Sequence, residues 1–138
     1  MRDLLLCPLG SEGGRRCRTA LWDSFRDLPI EEKWIEVTQR AILVVDGAFL
    51  CRPELRDEWD YVIWLDVDPD TMLARARARD VAWVGSEEEV VERYRQRVIP
   101  SHLLYEALVR PVDQAAAVVD TRDLNAPRLV RLGILKRV

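Results

Sequence analysis

Little in these 138 residues points to a membrane or an oxidising compartment. No apolar run approaches the roughly 20 residues of a spanning helix. The opening Met1-Arg2-Asp3-Leu4-Leu5-Leu6-Cys7-Pro8-Leu9 has too short an apolar stretch for a secretory signal, and Asp3 interrupts it. Cysteines number three, Cys7, Cys17 and Cys51, with no close pair, which excludes a zinc ribbon or a disulfide framework. Reduced thiols and a cytoplasmic location are therefore expected. Charge of one sign does not dominate either. The formal net charge is -3 and the pI about 5.3, so no overall field draws the chain to nucleic acid or an anionic membrane. There is a single histidine, His102, in a stretch that reads as helix, where a surface or half-buried place suits it better than catalysis. No internal repeat or low-complexity segment occurs.

What remains is ordinary globular material. Hydrophobic residues make up 49% and charged ones 33%, a balance that argues against disorder. The length suits one domain with a real core. Its organising stretch is Ala41-Ile42-Leu43-Val44-Val45-Asp46-Gly47. Five apolar residues without alternation predict a strand buried on both faces, ending at Asp46. The competing reading is an Asp-Gly hairpin turn, which Pro53 soon afterwards disfavours. Ligands of open parallel sheets bind off the strands' carboxyl ends, so Asp46 is a candidate magnesium ligand over a nucleotide phosphate.

Other elements follow in order. Thr19–Asp23 predicts a short strand, and Pro53–Trp59 one or two helical turns. Tyr61–Val67 predicts a second buried strand. Asp68-Pro69 opens a helix to about Asp80, with Asp as N-cap and Pro at N1. Ser86-Glu87-Glu88-Glu89 is a capping box that starts another helix, to about Ile99. Pro100 should kink or break it before a resumption over 101–109. Ala115–Asp120 predicts the last strand, and the tail after Pro127 a weak docking helix. This alternation gives an α/β class with a parallel sheet. The loop Gly10-Ser11-Glu12-Gly13-Gly14-Arg15-Arg16 has no lysine and no hydroxyl where G-x-x-x-x-G-K-[ST] needs them, so it reads as a surface turn. The five tryptophans read as core or boundary residues.

Arginines are clustered in Arg75-Ala76-Arg77-Ala78-Arg79-Asp80. Arg77 has Asp80 three residues on. Arg75 and Arg79 share a helix face without an acid three or four residues away, at a cost of roughly 0.2–0.5 kcal/mol. Two such guanidinium groups after a strand suit a phosphate-binding lid; a solvated surface is the plain alternative. Glu89 should pair Arg93 within its helix.

Asp-Gly-x-Phe-Leu at 46–50, then Arg-Pro-Glu-Leu-Arg-Asp-x-Trp-Asp at 52–60, resembles the uridine kinase family of P-loop nucleoside kinases. The Asp66-Val67-Asp68 turn, the block 75–80, Arg93-Tyr94 and Ala-Val-Val-Asp at 117–120 continue in the family's order. The resemblance, from about Leu4 to Pro127, implies a P-loop kinase-like α/β fold, a parallel sheet with flanking helices. It also implies transfer of the γ-phosphoryl of ATP, with Mg2+, to the 5′-hydroxyl of uridine or cytidine. By resemblance, Asp46 helps hold magnesium and Arg75 and Arg79 are lid arginines that meet phosphates. Trp22, Asp23, Arg26 and Arg93 fall at nucleoside contacts, while Asp120, Asp123 and Asn125 lie in the loop near the adenine.

The family's first strand, its P-loop and the Asp base that follows do not occur in these residues. A single, incomplete domain is therefore expected, inactive alone, because the phosphate cradle and base supply most of the positioning and charge stabilisation. The alternative is a non-catalytic nucleotide- or partner-binding remnant. In the family's sheet the missing strand lies between the strand ending at Asp46 and Tyr61–Val67. Those two should thus re-pair, associate with another copy or a second chain, or leave the chain poorly stable.

Overall fold

The protein is described by a computed structural model covering residues 1–10, 12–23 and 28–133. These fall into two compact units, Met1–Asp46 and Gly47–Val138.

The first unit begins with a π-helical turn, Arg2–Leu6, running into α1, Cys7–Leu9. Four two-residue strands follow: β1 Arg16–Cys17, β2 Trp22–Asp23, β3 Leu28–Pro29 and β4 Ile35–Glu36. They form two antiparallel pairs, β1 with β4 and β2 with β3. The expected strand over 19–23 is thus reduced to its last two residues. Cys17 is fully buried, and Arg16 and Arg18 on either side of it lie against the Trp34 ring, at 5.2 and 6.0 Å from its centroid.

The expected buried strand at Ala41–Val45 does not form. The segment is irregular, and Ile42 and Val44 are 89% and 85% exposed. Apolar composition favours a strand only where a neighbouring strand supplies backbone partners, and among the described residues none pairs with it. The Asp-Gly hairpin does not form either; Gly47 leads into a turn in which Phe49 adopts a positive φ of 64°.

In the second unit a 3-10 turn, Arg56–Glu58, precedes β5, Ile63–Asp66. Then come α2 Pro69–Arg79, α3 Val81–Val84 and α4 Glu87–Arg93. After a π-helical turn, Tyr94–Val98, α5 runs over Ile99–Val109 and α6 over Pro111–Gln114. Strands β6, Ala117–Asp120, and β7, Arg128–Leu132, close the unit. Both predicted caps are made. The Asp68 side chain accepts from Thr71 N at 2.8 Å, and Ser86 Oγ from Glu89 N at 3.1 Å. Pro100 does not break the helix. It brings no N–H for the carbonyl four residues back, and the turn just before it widens to π geometry, with Ile99 N donating to Tyr94 O.

The sheet is mixed, in the order β5-β6-β7. β5 and β6 are parallel, as expected, but β7 is antiparallel to β6, with a bulge between Val118 and Val119. The tail read as a helix is therefore a strand. Four of its five residues, Arg128, Leu129, Arg131 and Leu132, are good helix formers, and the ladder offered by the edge of β6 overrides that propensity. Among the described residues β5 has a neighbour on one side only. Trp64 stacks on His102 of α5, centroids 5.8 Å apart, while Ile63 and Leu65 point the other way and stay exposed, not buried as predicted.

The core of this unit lies between α2 and α4. Ala76, Val90 and Tyr94 are buried there, with Met72, Leu73, Val81, Val84, Val98 and Ile99 packed around them. A second packing point joins Phe49 to Tyr105, edge to face at 5.1 Å, and Tyr105 Oη accepts from Cys51 N at 2.9 Å. Burial pushes the Tyr105 hydroxyl up to about 12.

Candidate functional site

Parallel pairing puts the carboxyl ends of β5 and β6 side by side, with Asp66 in register with Asp120. This is the position where open α/β sheets bind ligands. Asp68 turns the chain from β5 into α2. The loop after β6 is fixed to β5 by Thr121, whose N and Oγ1 each donate to Asp66 O at 2.9 Å. Asp123 Oδ1 then accepts from Asn125 N at 2.9 Å, which shapes the loop's tip and leaves both residues exposed.

Arg75 reaches this loop from α2. Its NH2 group donates to Thr121 O at 2.5 Å and Arg122 O at 3.1 Å. Sequence spacing showed no acid near Arg75; its partners are main-chain carbonyls, which no spacing rule reveals. The second candidate lid arginine is engaged elsewhere. Arg79 Nε donates to Asp80 Oδ1 at 2.5 Å, and Arg79 NH2 to Asp80 Oδ2 and to Tyr94 Oη, both at 3.1 Å. Tyr94 Oη in turn donates to Asp80 Oδ2 at 2.8 Å. Asp80, 1% exposed, thus lies under a tyrosine and an arginine, and the Arg79 guanidinium holds its carboxyl below the usual carboxylate range. Burial, then Asp80, pushes the Tyr94 hydroxyl up. The three- and four-residue helical spacings give Arg79 no acid; the adjacent Asp80 serves. Arg77, expected to pair Asp80, pairs Glu87 at the start of α4 instead, with Nε 2.6 Å from Oε1. Arg93, expected to pair Glu89, lies over the Trp83 ring, 5.1 Å from its centroid.

The charge cluster at the end of β6 holds one sequence candidate, Asp120, and two arginines outside the sequence expectations. Asp120 is buried, and its carboxylate takes the fork of Arg122, Nε to Oδ1 at 3.0 Å and NH2 to Oδ2 at 2.7 Å. Arg128 NH2 donates to the same Oδ2 at 2.8 Å. Arg122 and then Arg128 hold the Asp120 carboxyl far below the usual range, and Asp120 raises Arg122 in turn. The Arg122 and Arg128 side chains remain 58% and 71% exposed. With Asp120, Asp123 and Ala126 they line an open cavity of about 440 Å3. Asp-x-Arg at 120–122 was visible in sequence; Arg128 was not, because its approach depends on β7 being a strand.

The remaining candidates belong to the first unit. Trp22 and Asp23 form β2, facing Pro29 and Leu28. Asp46 is exposed and ends the first unit. Arg26 lies outside the described residues. Among the described residues no group of three or more His, Cys, Asp or Glu side chains could hold a metal ion. A magnesium ion at Asp46 would thus take most of its ligands from phosphate oxygens and water, an ordinary arrangement for that ion. No helix among them is long and apolar enough to cross a membrane.

Two curated proteins are similar to this chain. A uridine kinase of Shewanella piezotolerans is 29% identical over 90 residues, 64% of this chain and 41% of that protein. A uridine kinase of Brevibacillus brevis is 28% identical over 120 residues, 85% of this chain and 54% of that protein. The chain spans about half the length of these relatives. No family model matches it, and no solved structure does. The similarity supports a kinase relationship, and the mixed sheet with flanking helices agrees with an α/β fold.

Proposed function

We propose that this chain is a nucleoside-kinase-like phosphotransferase segment, handling ATP and a pyrimidine nucleoside, and that these 138 residues do not turn over by themselves. One observation carries the reading: Arg75 is fastened to the loop at the paired ends of β5 and β6, beside a second group of arginines. The order of motifs and the two similar uridine kinases support it. ATP supplies the transferred phosphoryl group; magnesium would neutralise its oxygens, with Asp46 as the acid that helps hold it.

In this reading Arg75 and Arg79 meet phosphates. Arg79 does so only by leaving Asp80 and Tyr94, and Arg75 only through donors other than the NH2 group that holds the two loop carbonyls. By the resemblance, Trp22, Asp23, Arg26 and Arg93 are the nucleoside contacts, and Asp120, Asp123 and Asn125 belong to the loop near the nucleotide's base. A backbone cradle and a base toward the acceptor hydroxyl must come from a second copy, a second chain or further residues. The purified chain with ATP, magnesium and uridine should bind nucleotide and form no uridine monophosphate. Turnover would overturn the claim of inactivity; absence of any nucleotide or nucleoside binding would overturn the kinase-like reading. A non-catalytic nucleotide-binding role is the second reading, favoured by the bonds to Asp80 and Tyr94 that keep Arg79 engaged within its own unit. It is distinguished by binding that Arg75→Ala with Arg79→Ala abolishes and that no added partner chain converts into turnover.

A further inference from the structure

We infer that Arg122 and Arg128, set by Asp120, form a binding site for a tetrahedral oxyanion, the phosphate of a phosphorylated ligand. This rests on the kinase-like reading above and replaces one part of it: the strand-end cavity takes a phosphate, where that reading gives the loop 120–125 to the base of a nucleotide. Neither arginine is among the sequence candidates.

The geometry is that of a clamp with its outer side open. Both NH2 groups rest on one oxygen, Asp120 Oδ2, which draws two like charges together. Arg122 spends Nε and NH2 on the carboxylate, and Arg128 one NH2 contact. Among the described residues no hydrogen bond is made by Arg122 NH1, Arg128 Nε or Arg128 NH1. Each guanidinium carries five donors in a planar fork, so donors remain on the side that the cavity opens to solvent. The pair is also held from behind. Arg122 N donates to Asp120 Oδ1 at 3.0 Å, its carbonyl accepts from Arg75, and Arg128 is carried on the β7 ladder. Such pre-orientation lowers the ordering cost that flexible surface arginines meet on binding. The cavity lining sets two carboxylates, Asp120 and Asp123, against two guanidinium groups, so the pull on an anion comes from the local donors and not from a net positive charge. Asp123, Asp66 and Asp68 nearby oppose that pull and set the affinity for a dianion at a modest level.

The test uses inorganic phosphate on the whole chain, followed through the arginine Nε–Hε resonances of the unmodified protein. The Arg122 and Arg128 signals should shift saturably with phosphate and with sulfate, and not with chloride at equal ionic strength. Unmoved signals overturn the site, whatever any variant does. Arg122→Gln and Arg128→Gln, checked for native circular dichroism, should each weaken phosphate binding about tenfold, as loss of a charged hydrogen bond does. Unchanged affinity in the folded double variant would also overturn it. ATP and uridine separate this from the kinase-like reading. Phosphate binding without ATP or uridine binding upholds the clamp and sinks that reading; ATP binding insensitive to both substitutions does the reverse.

Discussion

At the scale of single residues, the Asp80 carboxylate is the most consequential polar group in the second unit. It is buried and serves two donors on different elements, Arg79 at the end of α2 and Tyr94 after α4. Asp80→Ala leaves the Tyr94 hydroxyl without its acceptor and should cost about 1–3 kcal/mol, read from urea midpoints. Tyr94→Phe should cost less, about 1 kcal/mol, because it removes one hydrogen bond and keeps the ring in the core. The two effects should be less than additive, since both delete the same contact. Acid sensitivity follows with a definite sign. The carboxyls of Asp80 and Asp120 are both lowered in the folded chain, so it binds fewer protons than the unfolded chain near pH 4. Their contribution is complete above the ordinary carboxylate range and is lost as pH falls through the lowered values. Urea midpoints should therefore hold from pH 7 to about pH 5 and fall below about pH 4. Asp80→Asn should flatten part of that fall; an unchanged profile would contradict the assignment.

At the scale of elements, the α3–α4 junction rests on one glycine. Gly85 has φ 123°, and a Cβ there would lie 2.7 Å from Glu89 Oε2. Gly85→Ala should destabilise by about 1–3 kcal/mol through backbone strain. Ser86→Ala, which removes only the N-cap bond to Glu89 N, should cost about 1 kcal/mol. Thermal melts of the two variants give the order. These caps were legible in sequence because they depend on a side chain and a backbone three residues away. The same holds for α2, α4 and the strands ending at Asp66 and Asp120. What could not be read was set by distant partners. The run 41–45 has strand composition but no ladder, and the run 128–132 has a ladder that its composition barely announced. The site divided the same way. Asp120 could be singled out, whereas Arg128 needed β7, and the Arg75 bonds to carbonyls have no signature in residue types.

At the scale of the whole molecule, two of the exposed apolar stretches among the described residues carry predictions. The first is 41–45, irregular and open to solvent. Thermolysin, which cuts before large apolar residues, should cleave first near Ile42–Val44 and release fragments matching the two units. Earlier cleavage within α2 or α5 would contradict this. The second is the outer edge of β5, with Ile63 and Leu65 uncovered. An apolar edge of this kind invites strand addition. Sedimentation should show association that grows with concentration, and Leu65→Lys should reduce it without lowering the urea midpoint. The bond from Arg75 to two main-chain carbonyls has a consequence of another sort, for how much of this contact the gene specifies. Every residue offers a carbonyl, so positions 121 and 122 can change freely without removing an acceptor. Position 75 alone encodes the contact. A saturation library scored for folded protein should therefore tolerate, as far as this link is concerned, varied partners at one end and a single residue type at the other.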